Sequence, residues 1–256
     1  MIPDIFNFDD QLTEEELLIK KTTQDYCQST LMPRILEANR NEVFDKGIYK
    51  ELGELGLLGP HIQGYGCSGV NNVSYGLIAR EIERVDSSYR SAFSVQSSLA
   101  MYAISNFGSE DQKNHYLPEM AKGNLIGCFG LTEPDAGSDV ASMKTLITNT
   151  DAGFLINGSK HFITNAKEAG IIIVVASRDT SLGSKGLETF ILETPCNSSE
   201  CCGVNWSNVN KVPDKCKLII NSYCADGGDA KCHSLKMDYV NVIFPVEKII
   251  LLPQKL

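Results

Sequence analysis

Three stretches of this 256-residue chain carry residue types at spacings that could do chemistry. The first is Cys128-Phe-Gly-Leu-Thr-Glu-Pro-Asp-Ala-Gly-Ser-Asp139. A strand reads out at Leu131, and Pro134 and Gly137 then turn the chain. Backbone amides and the hydroxyls of Thr132 and Ser138 are left to meet a ligand. The small residues let the backbone approach a flat ring or a phosphate closely. An ordinary Gly/Pro loop accounts for the same pattern about as well. The second stretch is Gly158-Ser-Lys-His-Phe-Ile-Thr-Asn165. A turn leads into a strand with Phe162 and Thr164 on one face. An aromatic beside a hydroxyl suits one wall of a heteroaromatic ring, although taken alone Phe162 reads better as core and Thr164 as strand filler. The third is Asp86-Ser-Ser-Tyr-Arg-Ser-Ala-Phe-Ser-Val-Gln96. Arg90 stands among small hydroxyl residues near a helix start, where its guanidinium could clamp a carboxylate bidentately. A surface salt bridge with Asp86 is the plainer alternative.

The elements that must position these stretches change character near Gly123. Thr13 with Glu16, flanked by Leu12 and Leu17, is a capping box with a hydrophobic staple, and it starts a helix that should fade near Pro33. A second helix is expected from Val43 to Leu55, stopped by Gly56. The glycine-rich stretch Gly59 to Asn72 reads as a loop. Val73, Leu77, Ile78, Ile82 and Val85 repeat at helical spacing. Ala92 to Asn106 is expected to be helical, and Ser109 with Gln112 caps a helix running to about Lys122. Strands are expected at 125–131, 145–150, 154–157, 171–176 and 188–193, with a hairpin turn at Asp151-Ala152-Gly153. Tyr239 to Leu252 reads as one or two more. Helices followed by strands argue for an α+β chain: a helical domain over 1–123, then an antiparallel, barrel-like β domain over 124–256.

Composition removes several classes of function. Hydrophobic residues make up 43% and charged residues 21%, a globular composition. The net charge of −9 argues against a nucleic-acid surface, which is built on cations. The longest apolar run, Ala169 to Ala176, is far short of the roughly 20 residues that span a bilayer. Residues 1–19 hold six acids and no Lys or Arg, unlike a transit peptide. Of nine cysteines, six fall between Cys196 and Cys232. They include no Cys-x-x-Cys pair, and the adjacency of Cys201 and Cys202 suits a tetrahedral metal poorly, so no metal site is expected.

Together the three stretches resemble the acyl-CoA dehydrogenase family, flavoenzymes that oxidise acyl-CoA thioesters, and within it the glutaryl-CoA dehydrogenases. The likeness runs from about Gln11 to Glu193. It includes LMPRI at 31–35, EANRNEVF at 37–44, ELGELGLLGP at 51–60, GYGCSGV at 64–70, ERVDSSYRSAFSVQSSL at 83–99, CFGLTEPDAGSD at 128–139 and NGSKHFITNA at 157–166. The resemblance implies FAD as cofactor, held by Phe129, Gly130, Leu131, Thr132, Ser138, Phe162, Ile163 and Thr164, with Phe162 where the family usually has Trp. It implies acyl-CoA binding by Arg90, Ser91 and Ser138, with Arg90 pairing the distal carboxylate of glutaryl-CoA, whose oxidation and decarboxylation gives crotonyl-CoA. It further implies electron-transfer flavoprotein as acceptor, a homo-oligomer and the mitochondrial matrix.

In that family a Glu of a C-terminal helical bundle removes the α-proton. No residue of this chain matches it, and Glu133 belongs to the flavin loop. The bundle is therefore expected to be missing, the segment at about 195–236 to be divergent, and the chain alone to show little dehydrogenase activity. The alternative is a non-catalytic remnant or isoform that binds flavin or acyl-CoA weakly, or that joins full-length subunits.

Overall fold

The computed structural model describes residues 7–150 and 153–193, and the strands Leu218–Ser222, Ser234–Phe244 and Ile249–Leu251. The Cys-rich segment at about 195–236 lies mostly outside the described residues.

Among the described residues seven α-helices precede the sheet: α1 Glu14–Tyr26, α2 Met32–Arg40, α3 Ile48–Glu54, α4 Asn72–Glu83, α5 Ser87–Ser94, α6 Tyr102–Phe107 and α7 Glu110–Ala121. Both capping boxes form as expected: Thr13 and Glu16 exchange bonds at the start of α1, and Ser109 and Gln112 do so at the start of α7. Gly56 and Gly123 follow α3 and α7 with φ of 68° each, the left-handed conformation that closes a helix.

Three helix boundaries differ from expectation. The first helix does not fade at Pro33. A π-turn over Cys27–Leu31 carries it into α2, and the Met32 amide donates back to Cys27 O. That wider turn accommodates the proline, which cannot donate and would otherwise crowd the preceding turn. The Arg34 Nε–H meets the Thr30 carbonyl at 2.9 Å. The second helix starts at Ile48, because the Asp45 side chain accepts from the Gly47 amide and fixes a turn just before it. The helix expected from Ala92 starts at Ser87, capped by Asp86, and continues through a π-turn at Val95–Met101 into α6.

The strands are β1 Gly127–Gly130, β2 Leu146–Thr150, β3 Gly153–Thr164, β4 Ile171–Ser177, β5 Leu187–Glu193, β6 Leu218–Ser222, β7 Ser234–Phe244 and β8 Ile249–Leu251. They lie in the order β6-β7-β3-β2-β4-β5-β8, with β1 also on β4. The sheet is mixed rather than antiparallel throughout: β1 and β2 both run parallel to β4, sharing one of its edges. Periodicity carries no information on strand order, so this was beyond the sequence pattern. β8 and the second half of β7 fall in the region read as further strands, β7 starting five residues earlier at Ser234, whereas β6 falls where no period was visible.

β4 explains the long apolar run. All seven of its residues are buried. Ile171 and Ile173 pack into the helical core with Tyr89, Phe93, Leu117 and Met120. Ile172, Val174 and Ala176 pack on the other side with Cys128, Ile147, Ile156 and Phe190. A strand covered on both faces reads as continuous rather than alternating hydrophobicity. Among the described residues no helix is long and apolar enough to cross a membrane.

Candidate functional site

The first and second stretches meet. β1 leaves its partner strand after Gly130, and the chain then turns, with Glu133 and Ala136 exchanging backbone bonds at 3.0 and 3.3 Å around Pro134-Asp135. Two consecutive residues of β3 hold this loop. Lys160 Nζ donates to the Leu131 carbonyl at 2.9 Å, and the His161 amide donates to the Thr132 carbonyl at 2.8 Å. Lys160 also meets Glu133 Oε1 at 2.8 Å. Glu133 accepts in addition from the amides of Lys144 at 2.6 Å and Thr145 at 3.0 Å.

Both members of the pair are almost wholly buried. Burial pushes the Glu133 carboxyl up, but the bonds from Lys160, Thr145 and Lys144 outweigh it and hold the group below its ordinary value. Burial lowers the Lys160 ammonium, and Glu133 opposes that. Glu133 is thus a satisfied structural carboxylate, and its lone pairs are committed to the loop rather than to a substrate proton.

A β-bulge follows at once. Between β3 and β7, Lys160 pairs Met237 and Ile163 pairs Leu235, so β3 carries one extra residue. Phe162 takes it up with φ of 56°. Strict alternation from the inward Lys160 would turn Phe162 into the core and Ile163 outward. The extra residue reverses this: Phe162 is 59% exposed, Ile163 is buried in the middle core, and Thr164 is half-buried.

Beyond the bulge, Asn165 is buried with φ of 69°, a conformation that Asn tolerates. Its side-chain oxygen accepts from Tyr49 OH at 2.7 Å. Its amide donates to Ala92 O at 3.1 Å and Gly127 O at 3.3 Å. One side chain thereby joins α3, α5 and β1 to the end of β3. Gln96 adds a second tie, accepting from the Gly127 amide at 2.7 Å and donating to Leu125 O at 2.9 Å. The third stretch is thus anchored two residues from Arg90. Arg90 itself is partly exposed, with Nε donating to Glu83 at 2.9 Å and Nη1 to Ser94 at 3.1 Å. Its partner is Glu83, at the end of α4, and not Asp86, whose carboxylate is used to cap α5.

Comparison with known proteins is decisive at the level of family. Residues 13–124 match the acyl-CoA dehydrogenase N-terminal domain and residues 128–213 the acyl-CoA dehydrogenase middle domain. The chain belongs to the acyl-CoA dehydrogenase family. A short-chain-specific acyl-CoA dehydrogenase of Clostridium acetobutylicum is 30% identical over 243 residues, covering 94% of this chain and 59% of that protein. A mitochondrial isovaleryl-CoA dehydrogenase of Pongo abelii is 34% identical over 188 residues, covering 71% of this chain and 44% of that protein. The structure of a Mycobacterium smegmatis glutaryl-CoA dehydrogenase in complex with FADH2 superimposes with a TM-score of 0.82 at 34% identity, covering 98% of this chain and 58% of that one. The chain therefore spans about half of the length of the curated relatives it matches.

Within this family fold, the Lys160 and His161 ties hold Leu131 and Thr132 against β3, in which Phe162 and Thr164 follow directly. Phe129 is half-buried between the helical core and the small cluster of Ala136, Met143 and Val175. Gly130 is buried in β1, and Ile163 contributes a core side chain. Ser138 is exposed further along the loop, and Ser91 is half-buried on α5. Sequence reasoning assigned no role to Lys160 or Asn165. A lysine within an apolar-flanked strand and an Asn directly after Thr164 were the available signals.

Two outcomes follow from these bonds. Asn165→Asp keeps shape and left-handed tolerance but points carboxylate oxygen at two carbonyls. We expect a loss of about 2–3 kcal/mol of unfolding free energy in urea titrations; a change below about 0.5 kcal/mol contradicts the joint described. Glu133 and Glu51 both titrate below their ordinary value of 4.5, Glu51 through its paired bonds from Arg34. Lowered carboxylates contribute stability that is full above their unfolded pKa and lost as pH falls through the folded one. Unfolding free energy should therefore be level down to about pH 5 and fall below it. A level profile down to pH 3 contradicts this.

Proposed function

We propose that the chain binds FAD along 129–138 and 162–164 and takes part in the oxidation of an acyl-CoA thioester, with glutaryl-CoA as substrate. Phe162 carries the flavin reading. A large aromatic side chain is left 59% exposed on a backbone conformation that costs a non-glycine residue about 1–3 kcal/mol. Strain and apolar exposure at one residue, beside the hydroxyl-bearing Thr132 and Thr164, fit a flat ring with polar edges that covers the phenyl face.

On this reading Phe129, Gly130, Leu131, Thr132, Ser138, Phe162, Ile163 and Thr164 hold the flavin by side chain or backbone. FAD supplies the hydride acceptor when bound. Arg90, Ser91 and Ser138 receive the acyl-CoA. The glutaryl assignment is supported by Arg90, whose Nε and Nη1 are fixed by Glu83 and Ser94 while Nη2 is bonded to neither. Electron-transfer flavoprotein as acceptor, a homo-oligomer, the matrix as compartment and the domain division at Gly123 belong to the same reading.

The test is the visible spectrum of the purified chain after FAD addition and desalting, then after acyl-CoA. The expected result is a retained flavin band that glutaryl-CoA perturbs more than butyryl-CoA does. Loss of the band on desalting overturns the flavin reading. A band perturbed more by butyryl-CoA overturns the glutaryl assignment.

A further inference from the structure

We propose that Lys160 is the positioning residue of the flavin site: it shapes the Leu131–Thr132 backbone by hydrogen bonding, beyond balancing the charge of Glu133. This rests on the reading that 129–138 and 162–164 bind FAD.

A lysine serving only as a counter-ion needs one contact. Lys160 commits another donor to Leu131 O, at a point where β1 has just left its partner strand and that carbonyl has lost its ladder. A half-buried carbonyl without a ladder partner still gains from a donor, and here a side chain provides it. The neighbouring residue does the same by backbone, since the His161 amide holds Thr132 O. Consecutive residues of β3 thus fix consecutive carbonyls of the loop. The bulge that turns Phe162 outward begins one residue later. The inward Lys160 is therefore the last regular position before the bulge, and its bond to Leu131 fixes the loop directly beside it. The third contact, with Met143 Sδ at 3.8 Å, closes the pocket around the ammonium.

Charge balance and positioning predict different results. If only balance matters, removing both charges leaves FAD binding intact, because buried ion pairs are commonly replaceable by neutral groups. The experiment compares wild type, Glu133→Gln, Lys160→Met and the double variant. It reads the thermal midpoint, FAD affinity by flavin fluorescence and the fine structure of the visible flavin band. Glu133→Gln keeps the bond to Leu131 and is expected to weaken FAD binding by about threefold, well short of the loss in the double variant. The double variant is expected to melt closer to wild type than Lys160→Met does, yet to bind FAD about 10- to 100-fold more weakly and to lose band structure.

FAD binding by the double variant equal to wild type overturns the proposal, as does a loss in Glu133→Gln equal to that in the double variant. Should both methionine variants fail to fold, amide exchange of the wild-type chain decides. FAD should slow exchange in peptides over 131–133 and 160–162 together, by about tenfold or more. Protection of only one of them overturns the proposal. A wild-type chain that retains no FAD overturns the flavin reading instead.

Discussion

Replacing Lys160 alone by methionine is expected to lower the unfolding free energy by about 3–5 kcal/mol, a large share of what a domain of ordinary stability has. The size follows from what is left behind rather than from what is removed. Glu133 stays buried, and its lowered pKa depends on Lys160 among its donors. Without the ammonium, the carboxylate keeps only the amides of Lys144 and Thr145. It must then remain charged in an apolar setting or take up a proton, and either is costly. The Leu131 carbonyl is orphaned at the same time. Glu133→Gln added to Lys160→Met should recover part of the loss, because the uncompensated charge disappears. Urea unfolding of the four proteins at neutral pH gives the coupling energy directly. A single-variant loss below about 1 kcal/mol, or strictly additive losses, refutes the account of the pair.

Much of this fold can be read from residues. Thr13 with Glu16, and Ser109 with Gln112, each need only neighbours three residues apart, and both capping boxes are present. Gly56 and Gly123 likewise act through their own backbone. The change of period at Gly123 reports which elements bury one stripe and which bury a face. What escaped the sequence depends on partners distant along the chain. The π-turn that carries the first helix past Pro33 is a response to packing. The parallel pairing of β1 and β2 with β4 depends on strand order. Lys160 looks like a surface charge until Glu133, 27 residues earlier, is seen opposite it.

The candidate site divides in the same way. Phe162, Thr164, Thr132 and Arg90 were legible as residue types beside turns and helix starts. Their arrangement was not. The alternation rule put Phe162 and Thr164 on one face, and they do share it; the bulge decides that this shared face is the outward one. An inward Lys160 followed by regular alternation would have buried Phe162. The side chains that do the positioning, Lys160 and Asn165, carry no chemistry of their own, and pattern reading gives such residues no weight. Arg90 was legible as a possible clamp, yet its partner Glu83 lies a full helix junction away from the Asp86 that sequence proximity suggested.

That partner determines the second large effect. With FAD bound, Arg90→Ala is expected to weaken glutaryl-CoA binding by about 100-fold, equivalent to about 2.7 kcal/mol, while butyryl-CoA binding changes by less than about threefold. Loss of a charge-assisted fork accounts for part of this difference. Glu83 accounts for the rest: once Arg90 is gone, its carboxylate stands unneutralised beside the position proposed for the distal carboxylate, and like charges repel. The variant should fold normally, because the Arg90–Glu83 pair is partly exposed and such pairs contribute at most about 1 kcal/mol. Arg90→Lys should recover only part of the affinity, since an ammonium keeps the charge but not the planar fork that Glu83 and Ser94 hold in place. Arg90→Ala with Glu83→Gln should recover part as well, by removing the repulsion. Calorimetric titration of both ligands into the FAD-loaded chain separates the outcomes. Equal weakening of glutaryl-CoA and butyryl-CoA would mean that Arg90 supports the site without reading the distal carboxylate, and the selectivity would then have to arise elsewhere in the pocket.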